Sequence, residues 1–434
     1  MTPPDDVPTR ARRAAASADA GFFSSRWVDR PAHVTEDAAG LPGGFRAATA
    51  AAGIKGDGAI DLGLLVCDAP ECVSAARYTR SGVLAPPVLV SRDETTPNGI
   101  RAVVVNSGNA NAATGDGGMI VAREMQQVTA QAVGVDAAAV AVCSTGVIGV
   151  PLPTAGLQAG IGAAVARLQQ DADVALATAI MTTDAFEKRA SVTVALPSGT
   201  VRLTAQCKGA GMIEPAFATM LCFVQTDAAL EPETAELLLG VCVKRSFDRV
   251  SVDGQLSTND TVILQCSGAS GVQVAPESED ELRFGAALDA VLRMLAILIV
   301  RDGEGARRVG RVVVRGGDMG VAERCARAVA NSPLVKAALH GADPNWGRIA
   351  QTVGQALGRA GTGSSPLALD IAIEGITVCA GGVAVAYELD ALNAAAACRE
   401  VEYVVGLPGE GCETEVIFSD LSHEYVTINA EYTT

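Results

Sequence analysis

The most constraining feature of the sequence is a series of short, continuous apolar runs separated by alanine-rich stretches with helical spacing. These runs lack the strict alternation of apolar and polar residues that is typical of a strand with one solvent-exposed face. They therefore indicate strands that are buried on both faces. Because a sheet covered on both faces needs helical layers, the pattern predicts an α/β, or layered α+β, fold. The predicted strands are residues 62–66, 88–90, 102–105 and 140–143, and the predicted helices are residues 119–133 and 157–169.

A second cycle of the same pattern occupies the last third of the chain. The glycine-rich turn 316–320 lies between a strand and a helix, but it lacks the glycine spacing of a dinucleotide site and is interpreted as an ordinary turn. The predicted elements of this cycle are a helix over 282–299, a strand over 312–314, a helix over 321–330 and a further helix with Ser332 as cap and Pro333 at its first position.

The length of 434 residues predicts two or three domains. The arginines and alanines of the first thirty residues resemble those of a transit peptide, but the acidic residues among them favour an ordinary tail. We expect a cytoplasmic protein, or one of an organelle matrix if it is eukaryotic. The predicted units are a flexible tail over 1–30, a core over 31–305 and a smaller C-terminal α/β domain over 306–434.

Composition excludes several classes of function. The chain is 49% apolar and only 19% charged, which indicates a compact globular protein. With 33 Lys and Arg against 49 Asp and Glu, its net charge of −16 makes nucleic acid an unsuitable partner. The most apolar run, 291–300, is far shorter than the roughly 20 residues that span a bilayer, so no membrane partner is expected.

Cysteine and histidine give no sign of a metal site. The 11 cysteines are scattered without a C-x-x-C pair, which predicts reduced, buried thiols. The three histidines, His33, His340 and His423, are far apart, so neither a zinc site nor a histidine-centred triad can be assembled. We therefore expect no metal.

Several glycine-rich or polar strings stand between the apolar segments. Taken singly, each fits a turn that ends a strand or caps a helix. Together they predict one common site, because functional residues concentrate on loops held by a rigid scaffold. The strings are residues 106–115, 144–146, 181–184, 208–221 and 300–306.

The string Lys208-Gly-Ala-Gly-Met-Ile-Glu-Pro-Ala-Phe-Ala-Thr219-Met-Leu221 resembles the self-cleavage segment of the ornithine acetyltransferase (glutamate N-acetyltransferase) family of arginine biosynthesis. The resemblance is collinear from about residue 40 to the last residue. Ala216-Phe217 stands where members often have Asn-Met, a difference that bears on substrate preference. The other segments that agree with the family are residues 106–115, 144–149, 181–184, 246–261, 300–306, 343–348 and 429–434.

This resemblance implies both a fold and a reaction. The fold is an αββα sandwich over 31–305, containing the cleavage site, with a C-terminal domain whose last residues reach the active site. The chain would cut itself between Ala218 and Thr219 and then transfer acetyl from N2-acetyl-L-ornithine to L-glutamate through acetyl-Thr219, in ping-pong order. The resemblance implies an α2β2 assembly and no cofactor, with acetyl-coenzyme A as an alternative donor.

A threonine hydroxyl is a weak nucleophile unless a base lies beside it. Cleavage before Thr219 would create such a base, because the new α-amine has an ordinary pKa near 8 and lies within reach of its own hydroxyl. The oxyanion formed on attack needs fixed donors. The Thr145 hydroxyl and the Gly146 backbone N–H are the candidates, and the resemblance assigns them this role.

An amino-acid ligand presents an α-carboxylate and a charged side chain. Lys208 suits the carboxylate, whereas Glu304 suits a cationic end of the ligand or a proton-handling role. The sequence does not choose between Thr182 and Thr183. Arg301 and Asp302 are interpreted as structural, in an ion pair or a turn. The further hydrogen-bond donors to the ligand are predicted to be Thr182 or Thr183, Asn429 and Thr434.

Three other kinds of function are compatible with parts of this pattern. The superfamily contains self-processing aminopeptidases and amidases, in which water takes the acyl group, and a pathway-specialised acetyltransferase could use another acceptor. A non-catalytic binding protein would not need an intact set of site residues. The presence of Thr219, the Thr145-Gly146 pair and Glu304 argues against it.

Overall fold

The computed structural model describes residues 21–56, 58–214, 220–359, 361 and 368–431. The strands are β1 Val34–Glu36, β2 Phe45–Ala50, β3 Leu62–Cys67, β4 Val73–Tyr78, β5 Ala102–Asn109, β6 Val140–Val147, β7 Lys188–Leu196, β8 Gly199–Lys208, β9 Leu221–Thr226, β10 Ala229–Leu230, β11 Val250–Ser251, β12 Thr261–Cys266, β13 Gln273–Val274, β14 Val309–Arg315, β15 Asp370–Ile373, β16 Ile376–Ala380, β17 Val383–Ala384, β18 Glu400–Gly406 and β19 Glu413–Ser419.

The helices lie between these strands and after them. They are α1 Pro86–Asp93, α2 Gly115–Val133, α3 Thr154–Val165, α4 Asp173–Ala179, α5 Pro232–Arg245, α6 Glu279–Arg301, α7 Met319–Ala330, α8 Pro333–His340, α9 Trp346–Arg359, α10 Leu389–Ala396 and α11 His423–Glu431.

Two sheets stack face to face to form the larger unit. One has the order β1-β7-β8-β9-β12-β4 and the other the order β2-β3-β5-β6. Every residue of β3, β9 and β12 is buried, as the unbroken apolar runs predict. Phe223 and Ile263 of the first sheet pack between the sheets with Leu65 and Val103 of the second.

Helices cover the outer faces of both sheets. The first sheet packs against α5 and α6, with Leu239 and Leu295 in the shared apolar cluster. The second sheet packs against α2 and α3, with Met125 and Ile161 in its cluster. The layer order is thus helix, sheet, sheet, helix, which confirms the αββα fold implied by the resemblance.

A further sheet, of order β11-β19-β14-β18-β15-β16-β17, packs against α7, α8 and α9 through residues such as Cys325, Leu339 and Val353. The predicted cap Ser332 accepts a hydrogen bond from the N–H of Val335. β11 precedes residue 305 in the chain but pairs with β19, so the region on either side of the expected boundary shares this sheet. The division into 1–30, 31–305 and 306–434 stays a prediction.

Residues 21–30, the end of the predicted tail, have a defined place. Phe22, Phe23 and Trp27 pack against the apolar cluster beneath α6. Arg26 forms an ion pair with Glu374 of the C-terminal sheet region. This part of the chain therefore belongs to the packed protein, and residues 1–20 lie outside the described residues.

Two predicted elements are wrong in type or extent. Residues 88–90 were expected to form a strand but lie in α1, because Pro86 and Pro87 supply the first helical positions and a three-residue apolar run fits either structure. The helix expected over 157–169 ends at Val165 instead. Gln169 lies beyond the end of this helix and forms a β-bridge with Ala47.

In the part of the chain that the structure describes, no helix is both long and apolar enough to cross a membrane. All 11 cysteines are free, as predicted. Nine of them are buried, whereas Cys398 is exposed and Cys412 is half-buried, so the expectation of burial is wrong for these two.

Candidate active site

An open cleft of about 530 Å³ gathers segments that are distant in sequence. It lies beside the ends of β6 and β8, next to the loop that precedes β12 and beneath α11. Its lining includes every predicted site residue that the structure describes. These are Thr145, Gly146, Thr182, Thr183, Lys208, Glu304 and Asn429.

Thr145 and Gly146 lie near the end of β6, where its parallel pairing with β5 becomes irregular. Gly146 has a φ of +134°, and a Cβ built on it would lie 2.3 Å from the carbonyl carbon of Gly108. Only glycine fits this close approach of two backbones. Thr145 is buried beside it, so its hydroxyl is held at the wall of the cleft.

Lys208 lies at the end of β8 and is buried. Its Nζ donates to Thr145 Oγ1 at 3.1 Å and to Thr182 Oγ1 at 2.8 Å. Each hydroxyl accepts from the ammonium, so its own proton is left to donate elsewhere. Burial lowers the pKa of Lys208 from its ordinary value. The predicted contact of Lys208 with a ligand carboxylate stays a prediction.

Asp184 is the centre of a buried ion network. Lys188 Nζ lies 2.8 Å from Asp184 Oδ1 and 2.6 Å from Asp302 Oδ2. Burial opposes ionisation, but the charges of Lys188 and Lys208 hold the pKa of Asp184 below its ordinary value. Burial raises the pKa of Asp302 to about 6. Asp302 and Arg301 each take part in an ion pair, in line with the predicted ion pair or turn, and the partner of Arg301 is Glu400.

The Asp184 carboxylate also orders the wall of the cleft. It accepts hydrogen bonds from the N–H of Thr182 at 3.0 Å and from the N–H of Gly209 at 2.7 Å. Thr182 and Thr183 lie in a bend and not in an extended strand, so their side chains need not point in opposite directions. Both Thr182 and Thr183 line the cleft, and of the two it is the Thr182 hydroxyl that accepts a hydrogen bond from Lys208.

Glu304 and Asn429 also contribute to the lining of the cleft. Glu304 follows the end of α6 and is buried, and its Oε2 accepts a hydrogen bond from Asn429 Nδ2 at 2.6 Å. A Cβ on Gly211 would lie 2.5 Å from Glu304 Oε1, so Gly211 leaves the room that this carboxylate occupies. The tail of the chain thus reaches the cleft through α11.

The predicted cleavage position, Ala218 and Thr219, and the predicted ligand donor Thr434 lie outside the described residues. The chain is described up to Glu214 and again from Met220. The segment between these two residues joins the end of the Lys208 loop to β9. Of the two ligand donors predicted at the end of the chain, Asn429 and Thr434, the structure therefore describes Asn429.

Comparison with known proteins identifies the family. The sequence model of the ArgJ family matches residues 46–434. This chain belongs to the ArgJ family. The ArgJ proteins named "Arginine biosynthesis bifunctional protein ArgJ" include one from Geobacter sulfurreducens, which is 43% identical over 90% of this chain and 99% of its own length. The one from Rhodopirellula baltica is 44% identical over 91% of this chain and 96% of its own length.

Solved ArgJ structures are also similar to this ArgJ-family chain. The arginine biosynthesis bifunctional protein ArgJ from Bacillus halodurans is 32% identical, with a TM-score of 0.45, over 48% of this chain and 98% of the solved chain. The ornithine acetyltransferase from Mycobacterium tuberculosis, solved with ornithine, is 36% identical, with a TM-score of 0.39, over 43% and 98%. The family match confirms the predicted resemblance to the ornithine acetyltransferases.

Several residues of the ArgJ-family cleft were not singled out from the sequence. They belong to segments 106–115, 144–149 and 246–261, which carried the family resemblance without an assigned role. Their small or polar side chains gave no chemical signal of their own, and only the tertiary fold brings them to the cleft. They are Ala110, Ile148, Ser257, Thr258 and Asn259.

Proposed function

We propose that this ArgJ-family protein transfers acetyl from N2-acetyl-L-ornithine to L-glutamate, through acetyl-Thr219, after cutting itself between Ala218 and Thr219. One observation carries the proposal: a single cleft combines the Lys208–Thr145 hydrogen bond with the Glu304–Asn429 hydrogen bond. The first pair suits a developing oxyanion, and the second offers a carboxylate to an amino-acid ligand. The relatives' names, which refer to arginine biosynthesis, support this substrate class.

In the proposed first half-reaction, the Thr219 hydroxyl attacks the acetyl carbonyl while its own α-amine takes the hydroxyl proton. The Thr145 hydroxyl and the Gly146 N–H donate to the oxyanion. The amide C–N bond then breaks, the proton passes to the leaving amine, and ornithine departs. In the second half, the glutamate α-amine attacks the acetyl ester, which restores the Thr219 hydroxyl and releases N-acetylglutamate.

One pocket would serve both amino acids, because they share an α-amine and an α-carboxylate. We place the carboxylate near Lys208, where Thr182 and Thr183 can donate to it. Glu304 would face the cationic side chain of ornithine, with Asn429 fixing the carboxylate. Thr434 would add a donor from the chain terminus. We also propose acetyl-coenzyme A as a second donor and an α2β2 assembly of the cleaved chains.

The proposal is tested by the intact mass of the purified protein. We expect fragments 1–218 and 219–434, and we expect Thr219→Ala to remain whole. Thr178→Ala, which changes an exposed threonine of α4, should cleave like the unchanged protein. With N-acetylornithine and no glutamate, fragment 219–434 should gain the mass of one acetyl group.

Kinetics distinguish the alternatives. Varying N-acetylornithine at several fixed glutamate concentrations should give parallel double-reciprocal lines. Intersecting lines without an acetylated fragment would instead indicate direct transfer in a ternary complex. Release of acetate faster than formation of N-acetylglutamate would assign the protein to the hydrolytic aminopeptidases and amidases.

A further inference from the structure

We propose that Asp253 and Asp260, on the loop between β11 and β12, are positioning residues that hold the two sides of the self-cleavage segment. We call this pair of carboxylates the two-point clamp. The inference rests on the proposed function, since it assigns a role in the maturation of the same site. Both sides of the clamp consist of described residues, with direct hydrogen bonds to the backbone.

On the upstream side, the clamp binds Met212 and Ile213. The N–H of Met212 donates to Asp253 Oδ2 at 2.7 Å, and the N–H of Ile213 donates to Asp253 Oδ1 at 2.9 Å. The Ile213 carbonyl in turn accepts from the N–H of Val252 at 2.9 Å. Both polar groups of the Ile213 backbone are therefore bound by one short stretch of the loop.

Met212 has a conformation that needs such support. Its φ of +56° lies in the left-handed region, which residues other than glycine adopt at an energetic cost. Gly211 precedes it and must remain small because Glu304 lies against it. The Asp253 carboxylate thus stabilises a strained turn that carries the chain from the cleft wall towards the cleavage segment.

On the downstream side, the clamp binds Met220, the residue after Thr219. Its N–H donates to Asp260 Oδ1 at 2.9 Å, and its carbonyl accepts from the N–H of Thr261 at 3.1 Å. The Asp260 side chain is buried, and burial holds its pKa well above its ordinary value. Asp260 therefore fixes the backbone one peptide away from the proposed nucleophile.

The same loop places Ser257 and Asn259 in the cleft lining between the two aspartates. One continuous stretch of chain thus holds both flanks of the segment and forms part of the cleft wall. Before cleavage, this one loop would therefore bind the backbone on both sides of the bond to be cut. After cleavage, only the Asp260 contact remains attached to the Thr219 side, so it would fix the nucleophile during turnover.

The test follows conversion of freshly synthesised full-length chain into the two fragments. We expect Asp260→Ala to cleave about tenfold more slowly or worse, because the hydrogen bond to the Met220 N–H is lost and that buried donor is left unpaired. Asp260→Asn should cleave within about twofold of the unchanged protein, since its amide oxygen accepts the same hydrogen bond without a charge. In the fraction of Asp260→Ala that has matured, kcat should fall while KM for N-acetylornithine stays within about twofold.

Asp318→Ala is the matched control. Asp318 also accepts backbone hydrogen bonds, but these come from Gly320 and Val321 at the start of α7 and not from either flank of the cleavage segment. This variant should cleave normally. If Asp260→Ala does not melt cooperatively, Asp253→Ala takes its place, because Asp253 is only partly buried and should slow cleavage in the same way.

Two results would overturn the clamp. One is normal cleavage in a folded Asp260→Ala or Asp253→Ala variant. The other is an Asp260→Asn variant that folds but cleaves as slowly as the alanine variant, which would assign the carboxyl group a proton-transfer role. Failure of the proposed function has a different signature, since the unchanged protein would then stay whole or Thr219→Ala would still be cut.

Discussion

Lys208 and Thr145 show how two ordinary side chains become a buried, hydrogen-bonded pair at the wall of a cleft. A lysine next to glycines is normally a solvated loop charge, but here Lys208 is buried and donates to two hydroxyls. Because the ammonium donates to the Thr145 oxygen, the proton of the Thr145 hydroxyl remains available to donate to a ligand. Burial and hydrogen-bond partners, and not residue type, set this lysine apart from a solvated loop charge.

We therefore expect Thr145→Ala to lower kcat by about a hundredfold or more with little change in KM, because an oxyanion donor acts chiefly in the transition state. Thr145→Ser keeps the hydroxyl and should retain most of the activity. Steady-state kinetics on the matured proteins measure both effects. A Thr145→Ala variant that changes only KM would assign this residue to substrate binding instead.

At the scale of the element, α11 brings the end of the chain to the cleft. The Ser422 hydroxyl accepts from the N–H of Tyr425, and the Tyr425 hydroxyl donates to Asp253 Oδ2 at 3.4 Å. These contacts hold the first turn of the helix. Asn429 lies further along it and contacts Glu304, so the helix links the loop of the clamp to the Glu304 wall of the cleft.

Deletion of residues 429–434 should raise KM for N-acetylornithine at least about tenfold, because Glu304 loses the hydrogen bond from Asn429. The melting temperature should change little, since the contacts of Ser422 and Tyr425 remain. Thr427→Ala, an exposed change on the same helix, is the control and should have normal kinetics. Unchanged kinetics in the deletion variant would show that the end of the chain lies on the surface without a role in binding.

At the scale of the whole molecule, a buried lysine supports the C-terminal sheet. Lys336 of α8 donates to the backbone and hydroxyl oxygens of Ser419, and the Ser419 hydroxyl contacts the carbonyl of Val252. Burial lowers the pKa of Lys336 to about 8, although Asp420 and Asp253 act in the opposite direction. The native protein therefore releases this proton at a lower pH than the unfolded chain does.

The sign of the resulting pH dependence follows from proton counting. Between pH 8 and 10 the unfolded chain binds more protons at this position, so the free energy of unfolding rises with pH. Relative to that of Lys336→Met, the free energy of unfolding of the unchanged protein should rise by about 2 kcal/mol between pH 7.5 and 9.5. Denaturant titrations at both pH values measure the difference. Lys244→Met, an exposed change on α5, should show no such dependence, and equal slopes for Lys336→Met and the unchanged protein would contradict the prediction.

The sequence by itself determined the layered architecture, because fully apolar runs such as β3 and β12 can be stable only between two covering layers. It also indicated the family, and it predicted a common site for Thr145, Gly146, Lys208 and Glu304, which lie in collinear strings with the composition of loops and line one cleft in the structure. It misassigned residues 88–90, where a short apolar run carries no period that separates a strand from a helix.

Only the tertiary structure decided which partners these residues have. Lys188 and Asp302 are separated by more than a hundred residues, and no local pattern relates them, yet they form one buried ion pair beside Asp184. The hydrogen bonds of Asp253 and Asp260 to the backbone are equally invisible in sequence, because any residue can offer the N–H that they bind. The types of residue along the chain do not reveal which distant side chains are buried together or which backbone groups they bind. Only the folded chain defines these contacts.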